Sequence, residues 1–475
     1  MQQGGQPSST SLRLCAHQYV VAAAGRTFAG SAGPRQPGAK KRRAKVKSVP
    51  TARRAAVEQL LRVEEGAYVA SVAGLAGGQS ASTKQHILTD RDARLVTELV
   101  SGCVRWQRRL DFVIESLTGA PVTRLDPPLR QLLRLATYEL LELGVPHHVI
   151  SEHVSLAKQL MHPGAGAFAN GVLRNLARLM AEDAVPRPAH PTSATLTLQQ
   201  RADLIGIAHS HPSWMVQRWL ERFGEQETLD LLRWNNMRPA GHGVRVAPAV
   251  VDDALLHRLA AEGVTAEPSR FLPRDFVVVR RGLQHLLAKG LLAARGFQVQ
   301  DESAGLVVEL LDPQPGDVLL DCCAAPGGKA LYALQRLAGQ GLLLAMDVHA
   351  GKLRRLETAA VEQGRAGQLE VHTADLRDHV NALMAGPPAG PGLQSCDAFD
   401  KVLLDVPCSG LGVLSKRADL RWRRSPADLA GLRLLQAELL EAAAQLVRPG
   451  GLLVYSTCSI EPQENEDQGI GMEPL

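Results

Sequence analysis

Two cysteines of this chain stand in matching surroundings. Cys408 falls in Lys401-Val-Leu-Leu-Asp405-Val-Pro-Cys408-Ser-Gly, and Cys458 in Gly450-Gly-Leu-Leu-Val-Tyr455-Ser-Thr-Cys458-Ser. In each a short apolar run ends and a thiol follows among turn formers and hydroxyl residues. A lone cysteine is usually a small buried hydrophobe. Two at the ends of neighbouring strands would converge beside whatever the strands bind, and point to thiolate chemistry on an electrophilic carbon.

A ligand-binding turn precedes them. An apolar run, Val318 to Leu320, leads into Asp321-Cys-Cys-Ala-Ala-Pro-Gly-Gly-Lys329 and then a helical pattern from Ala330. Small residues at a strand-to-helix turn let the backbone approach a ligand and aim helix N-terminal amides at it. The spacing is neither GxGxxG nor GxxxxGK[ST], so neither a dinucleotide nor a P-loop site is expected. Asp347 ends a second run, Leu342 to Met346, where a carboxylate can accept both ribose hydroxyls of a nucleoside. Asp375, after the run Leu369 to His372, could reach an adenine edge. Taken one at a time, a Gly-Gly turn can be only a turn and a strand-end Asp only a helix cap.

The spacing of these residues names the elements that must hold them. Asp321, Asp347, Asp375 and Asp405 are 26, 28 and 30 residues apart, near the length of a strand-helix-strand unit. The expectation is a Rossmann-like α/β domain over 301–475, a doubly wound parallel sheet with its ligand at the carboxyl ends of the strands. Upstream the period changes. Over 51–182 apolar residues recur at helical spacing in Ala55–Val63, Asp92–Leu117, Pro128–Leu143, Val149–Met161 and Ala167–Met180, which predicts an all-α bundle. After a Pro-rich linker at Pro186–Pro191, residues 192–300 read as a small α+β subdomain. They carry a helical block, Trp214–Trp234, and strands at Val244–Val246 and Phe276–Arg280.

The chain has 475 residues and a formal charge of +5, from 53 Lys+Arg against 48 Asp+Glu. The excess is local. Residues 1–57 hold 11 of the basic residues and no acid, leaving 42 against 48 for the remainder. Nucleic-acid binding must therefore be argued from sites and not from global charge. The leader, 1–50, is Arg- and Ser-containing and acid-free, as an organelle transit peptide is; a disordered basic tail or a nuclear signal has the same composition. A plastid or mitochondrion is the expected destination, with cytoplasm or nucleus as the alternatives. No run nears the roughly 20 apolar residues of a membrane helix, so no membrane partner is expected. Seven cysteines without a CxxC pair give neither a disulfide scaffold nor a metal site.

DCCAAPGGK, LDVPCSGLG and YSTCSIEPQENE, in that order, resemble the cofactor loop, Pro-Cys motif and Thr-Cys motif of the Sun/Fmu (NOL1/NOP2/Sun) family of RNA cytosine-C5 methyltransferases. TDRDARLVTELVSGCVRW and GAFANGVLRNLARL are similar to the NusB-type RNA-binding domain fused to its bacterial small-subunit ribosomal RNA subgroup, and SHPSWMVQRWLERFG and FQVQDESAGLVVELLDPQPGD to the stretch between. The likeness spans roughly 51–468. It implies S-adenosylmethionine as cofactor, held by Cys323, Ala324, Ala325, Pro326, Gly327, Gly328, Lys329, Asp347, Asp375 and Asp405, with Asp405 also near the target base. It implies Cys458 as nucleophile and Cys408 as the residue that assists product release. Two thiols suit this reaction because cytosine C5 attacks a methylsulfonium only after a thiolate has added to C6, and the adduct must then be undone. RNA, from the small ribosomal subunit, is the expected substrate, acted on by a monomer. A transfer RNA substrate and a non-catalytic RNA-binding or ribosome-assembly factor are the alternatives.

Two further expectations follow. The basic stretch Lys416 to Arg424 supplies phosphate contacts and one stacking aromatic, Trp422, or is a solvated helix start. Family members continue past the Thr-Cys motif with a further strand pair, whereas here 17 residues follow Cys458 and Gly469–Leu475 has no strand pattern. That reads as a C-terminally truncated domain whose fifth strand is an apolar edge.

Overall fold

The computed structural model describes residues 51–72, 89–189, 196–237, 241–246, 250–288, 297–385 and 399–468. The leader, 1–50, and Gly469–Leu475 lie outside them. The described chain forms two compact units, one from residues up to Met237 together with Arg417–Trp422, the other from the rest. The expected division at the Pro-rich linker is therefore not where the compact units part, because helices Leu198–Ala208 and Ser213–Asn236 join the bundle.

The first unit is all-helical: Ala52–Glu64, Asp90–Thr118, Pro127–Leu141, Val149–Leu160 and Pro163–Ala181 precede those two. Local signals set their ends. Thr89 caps the long helix by accepting the Asp92 N–H, and Gly119, at φ 67°, stops it in the left-handed region. The helical period buries Leu99, Leu110, Ile114, Leu132, Leu133 and Leu140 in one core. At Gly102 the helices come so close that a Cβ would lie 2.0 Å from the Tyr138 ring.

The excursion Arg417–Trp422 corrects the phosphate-binding expectation for the basic stretch. Arg421 is fully buried and donates to the carbonyls of Ser210 (2.9 Å) and Asn235 (3.2 Å) and to Asn236 Oδ1 (2.8 Å). Trp422 donates its indole N–H to the Val104 carbonyl at 2.7 Å, and Arg417 lies over the Tyr68 ring and pairs with Asp419. Burial, with the Arg421 terminal nitrogens and the Trp422 indole N–H spent on acceptors within this unit, makes these residues architectural.

The second unit holds two sheets. The smaller is antiparallel, in the order β2 (Thr265–Pro268), β3 (Phe276–Arg281), β1 (His242–Arg245), β4 (Gln298–Val299). The sequence anticipated β1 and β3 but not β2 or β4, which are short and lack an alternating apolar pattern. The larger sheet is wholly parallel, in the order β7 (Leu369–Thr373), β6 (Leu342–Asp347), β5 (Val318–Asp321), β8 (Phe399–Asp405), β9 (Val447–Ser456). Adjacent strand residues point to opposite faces. Leu319 and Leu343 pack with Leu331, Leu334, Leu353 and Leu356 of helices Gly328–Arg336 and Ala350–Glu362. Leu320, Leu344, Val402 and Leu404 pack with Leu376, Leu439 and Leu440 of helices Leu376–Ala385 and Pro426–Ala444 on the other face. Helices on both faces make the sheet doubly wound. β9 pairs with β8 and lies at the sheet edge among the described residues, with Leu452 exposed.

Candidate active site

Every residue singled out for cofactor or thiol chemistry lies at the carboxyl end of a strand of the parallel sheet, in the loop that follows or in the first turn of the next helix. Register dictates this: Asp321 pairs with Ala345 and Leu403, and Asp405 with Ser456, so β5, β6, β8 and β9 end side by side. Their following loops open on one edge, where ligands bind in such sheets.

The loop after β5 is tied on both sides, Cys322 N–H to the Leu403 carbonyl and Ala324 N–H to the Met346 carbonyl, both at 2.9 Å. Gly327 ends it at φ 106° as the N-cap of helix Gly328–Arg336. A Cβ there would strike Leu356 at 2.7 Å, so only glycine fits both the backbone and the packing. At Gly328 a Cβ would meet nothing nearer than 3.6 Å, which leaves the first turn approachable by a ligand. Asp347 is nearly buried. Its Oδ2 accepts the Ala325 N–H at 3.1 Å and its Oδ1 the His349 N–H at 2.8 Å. Asp347 thus braces the loop and keeps acceptor capacity on Oδ2.

Asp321 is buried, with Oδ1 unpartnered among the described residues. Burial pushes its carboxyl up to about 7, against the pull of Lys329. Lys329 makes an ion pair with Asp405 at 2.6 Å, and Ser456 Oγ donates to the other Asp405 oxygen at 2.9 Å. A buried acid with one unpartnered oxygen, a strand-end carboxylate with acceptor capacity and an open helix N-terminus fit a nucleoside ligand that carries cationic groups, as S-adenosylmethionine does. Asp375 is less available. Arg377 grips both its oxygens, at 3.0 and 2.7 Å, and holds its carboxyl below the usual range.

The two thiols meet. Cys408 and Cys458 lie three residues beyond Asp405 and two beyond its partner Ser456, and this matched exit brings their Sγ atoms to 3.1 Å. The Cys458 N–H also donates to Cys408 Sγ at 3.3 Å. Both are free thiols. The hydrogen bond from Cys458, then burial, push the Cys408 thiol well up, so Cys408 is the partner that keeps a proton. Gly412 donates its N–H to the Cys458 carbonyl at 3.0 Å, where a Cβ would come within 2.8 Å of that oxygen.

Sequence reasoning gave Glu464 no role and read Arg424, at the end of the basic stretch, as a phosphate contact. Glu464, fully buried, accepts from Ser409 and Ser459, and Arg424 donates to the Ser409 carbonyl at 2.9 Å and the Cys408 carbonyl at 3.2 Å. The one signal for Glu464 was its place inside the Thr-Cys motif.

Asp347→Ala is expected to weaken S-adenosylmethionine at least tenfold in calorimetric titration, since both the hydroxyl acceptor and the loop brace are lost. Equal affinities would remove Asp347 from the ribose role.

Residues 308–470 match the family described as 16S rRNA methyltransferase RsmB/F, residues 50–178 the NusB family, and residues 211–282 an RsmF/B-like ferredoxin-like domain. The chain is 35% identical over 389 residues to a Synechocystis protein named "Probable ribosomal RNA small subunit methyltransferase B", covering 81% of each chain. It is 31% identical to the Serratia proteamaculans "Ribosomal RNA small subunit methyltransferase B", covering 82% of this chain and 85% of that one. Among solved structures it resembles PH0851, with a TM-score of 0.68, 26% identity and 89% of each chain covered.

Proposed function

We propose that this chain, which belongs to the RsmB/F family of 16S rRNA methyltransferases, methylates carbon 5 of a cytosine in small-subunit ribosomal RNA through a covalent adduct on Cys458. The observation that carries the reading is the pair of free thiols, 3.1 Å apart, in the loops beside the cofactor turn. A methyl transfer to nitrogen needs no such pair.

S-adenosylmethionine supplies an electrophilic methyl group on a cationic sulfur. The chain's own residues make the carbon that accepts it reactive. Cys458 adds to C6 of the pyrimidine as its thiolate, its proton having passed to solvent, and electron density moves to C5. Asp405, held by Lys329 and Ser456, polarises N3 in its neutral acid form, donating a hydrogen bond as that density shifts. After transfer a base from solvent takes the C5 proton, its electron pair re-forms the C5–C6 double bond, the bond between C6 and Cys458 breaks to return the thiolate, and Cys408 assists that release. The target base must enter unstacked, so single-stranded or loop RNA is the economical substrate.

Incubation with methyl-labelled cofactor and RNA, followed by nucleoside analysis, is expected to place the label in 5-methylcytidine of small-subunit ribosomal RNA. Label in transfer RNA alone would change the substrate. No label in either RNA would favour a non-catalytic RNA-binding role.

A further inference from the structure

Resting on that reading, we propose that Glu464 is a positioning residue that clamps the two thiol loops to each other and so sets the distance between Cys408 and Cys458.

The loops come from different strands, and a single carboxyl group joins them. Its Oε1 accepts the Ser409 N–H at 2.7 Å and the Gln436 side-chain amide at 3.0 Å. Its Oε2 accepts the hydroxyls of Ser409, at 2.5 Å, and of Ser459. Ser409 and Ser459 each directly follow one of the cysteines, and their hydroxyls also meet at 3.1 Å. Gln436 extends the clamp by donating to the Pro407 carbonyl at 2.9 Å, on the other side of Cys408. Glu464, Ser409, Ser459 and Gln436 are all buried, Glu464 and Gln436 at 0% exposure, so these bonds have no competition from water.

The residues around Glu464 fix its own place. Tyr455 donates its hydroxyl to the Glu464 carbonyl at 2.8 Å, and the neighbouring Asn465 donates to the carbonyls of Ser459 and Glu461, at 3.2 and 2.8 Å. The segment after Cys458 is thus folded back on the loop that carries it. Among the described residues no cation pairs with the carboxyl group; four donors meet it, three of them from the residues beside the thiols and one from Gln436. Burying a carboxyl group is costly, and these donors offset that cost only while both thiol loops stay in place around it. Negative charge at Glu464 also helps to hold the proton on Cys408, which leaves Cys458 as the attacking sulfur.

The test separates reach from charge and does not depend on methyl transfer. Glu464→Asp keeps the carboxyl but withdraws it by one carbon–carbon bond, about 1.5 Å. Glu464→Gln keeps the reach: its oxygen can take the two N–H donors, and its amide can donate to the two serine hydroxyls. Full-length protein is treated with diamide, and the Cys408–Cys458 cross-link is followed by peptide mass mapping. The wild type is expected to cross-link fast, the Asp variant at least tenfold slower, and the Gln variant near the wild-type rate. Methyl transfer by the Asp variant should fall roughly a hundredfold in kcat with KM for RNA little changed, because misplacement by about 1 Å costs that order. The pH profile of the Gln variant should move to lower pH, since removing negative charge lets Cys408 lose its proton more easily.

Wild-type cross-linking by the Asp variant would overturn the clamp, as would a Gln variant as slow as Asp. A role in folding alone would lower the melting temperature without slowing the cross-link in folded protein, and that result would overturn it as well. Were the wild type to cross-link fast and the Asp variant slowly, yet neither to methylate RNA, the clamp would stand and the proposed reaction would fall.

Discussion

Cys458→Ala is expected to abolish methyl transfer, by a factor of about 10⁴ or more, while cofactor affinity stays within about twofold. The sulfur lies two residues past β9 and has Cys408 as its hydrogen-bonding partner, in the other thiol loop, so its removal is expected to cost the transition state alone. Cys408→Ala should behave differently. Attack by Cys458 is still possible, but rupture of the carbon–sulfur bond loses its helper. Protein should then accumulate as an RNA adduct that survives denaturing electrophoresis as a slow band. An adduct from Cys458→Ala and none from Cys408→Ala would exchange the two roles. Full activity in both variants, with no adduct, would sink the covalent mechanism. The 3.1 Å contact adds a finer expectation. With Cys408 gone, Cys458 loses its sulfur partner, so alkylation of Cys458 should change in rate and pH dependence even without RNA.

The second large effect is on stability. Arg421→Ala should destabilise the helical unit by about 2–3 kcal/mol, the cost of leaving buried acceptors unpaired. The guanidinium reaches two backbone carbonyls and Asn236 from a site with 0% exposure. Burial, together with nearby Arg105, drives its pKa well down, a sign of how much the site relies on those acceptors. Arg421→Lys should recover only part of the loss, because an ammonium cannot span a fork of acceptors. All five tryptophans, at 106, 214, 219, 234 and 422, belong to the helical unit, so intrinsic fluorescence during denaturation reports on it alone. A midpoint unchanged from wild type would return Arg421 to the surface role first read for it. The salt dependence of RNA binding gives an independent check: a phosphate contact would take about one from the slope, and an architectural arginine nothing.

Much of this molecule could be read along the chain. Four acids spaced 26, 28 and 30 residues apart mark the strand ends of a parallel sheet, because a strand and its crossover helix have nearly fixed lengths. The two thiols could be placed at matching exits for the same reason, and the helical bundle by its apolar period. Such signals are local, set by geometry that repeats every 2 or 3.6 residues. Side-chain partners are not. Asp375 is gripped by Arg377, a neighbour that a strand-end pattern does not flag. Arg421 finds its acceptors 211 and 186 residues away, and Glu464 meets Ser409 at a separation of 55. No periodicity encodes those distances. Loop backbones without repeat carry them, and whether a charged residue grips phosphate, braces a core or clamps two thiols depends on what the finished fold packs around it. Local pattern was enough to foresee a doubly wound parallel sheet and which residues end its strands. Only the tertiary structure decided which groups were free to act, since burial and partner choice are properties of the packed chain and not of any segment in it.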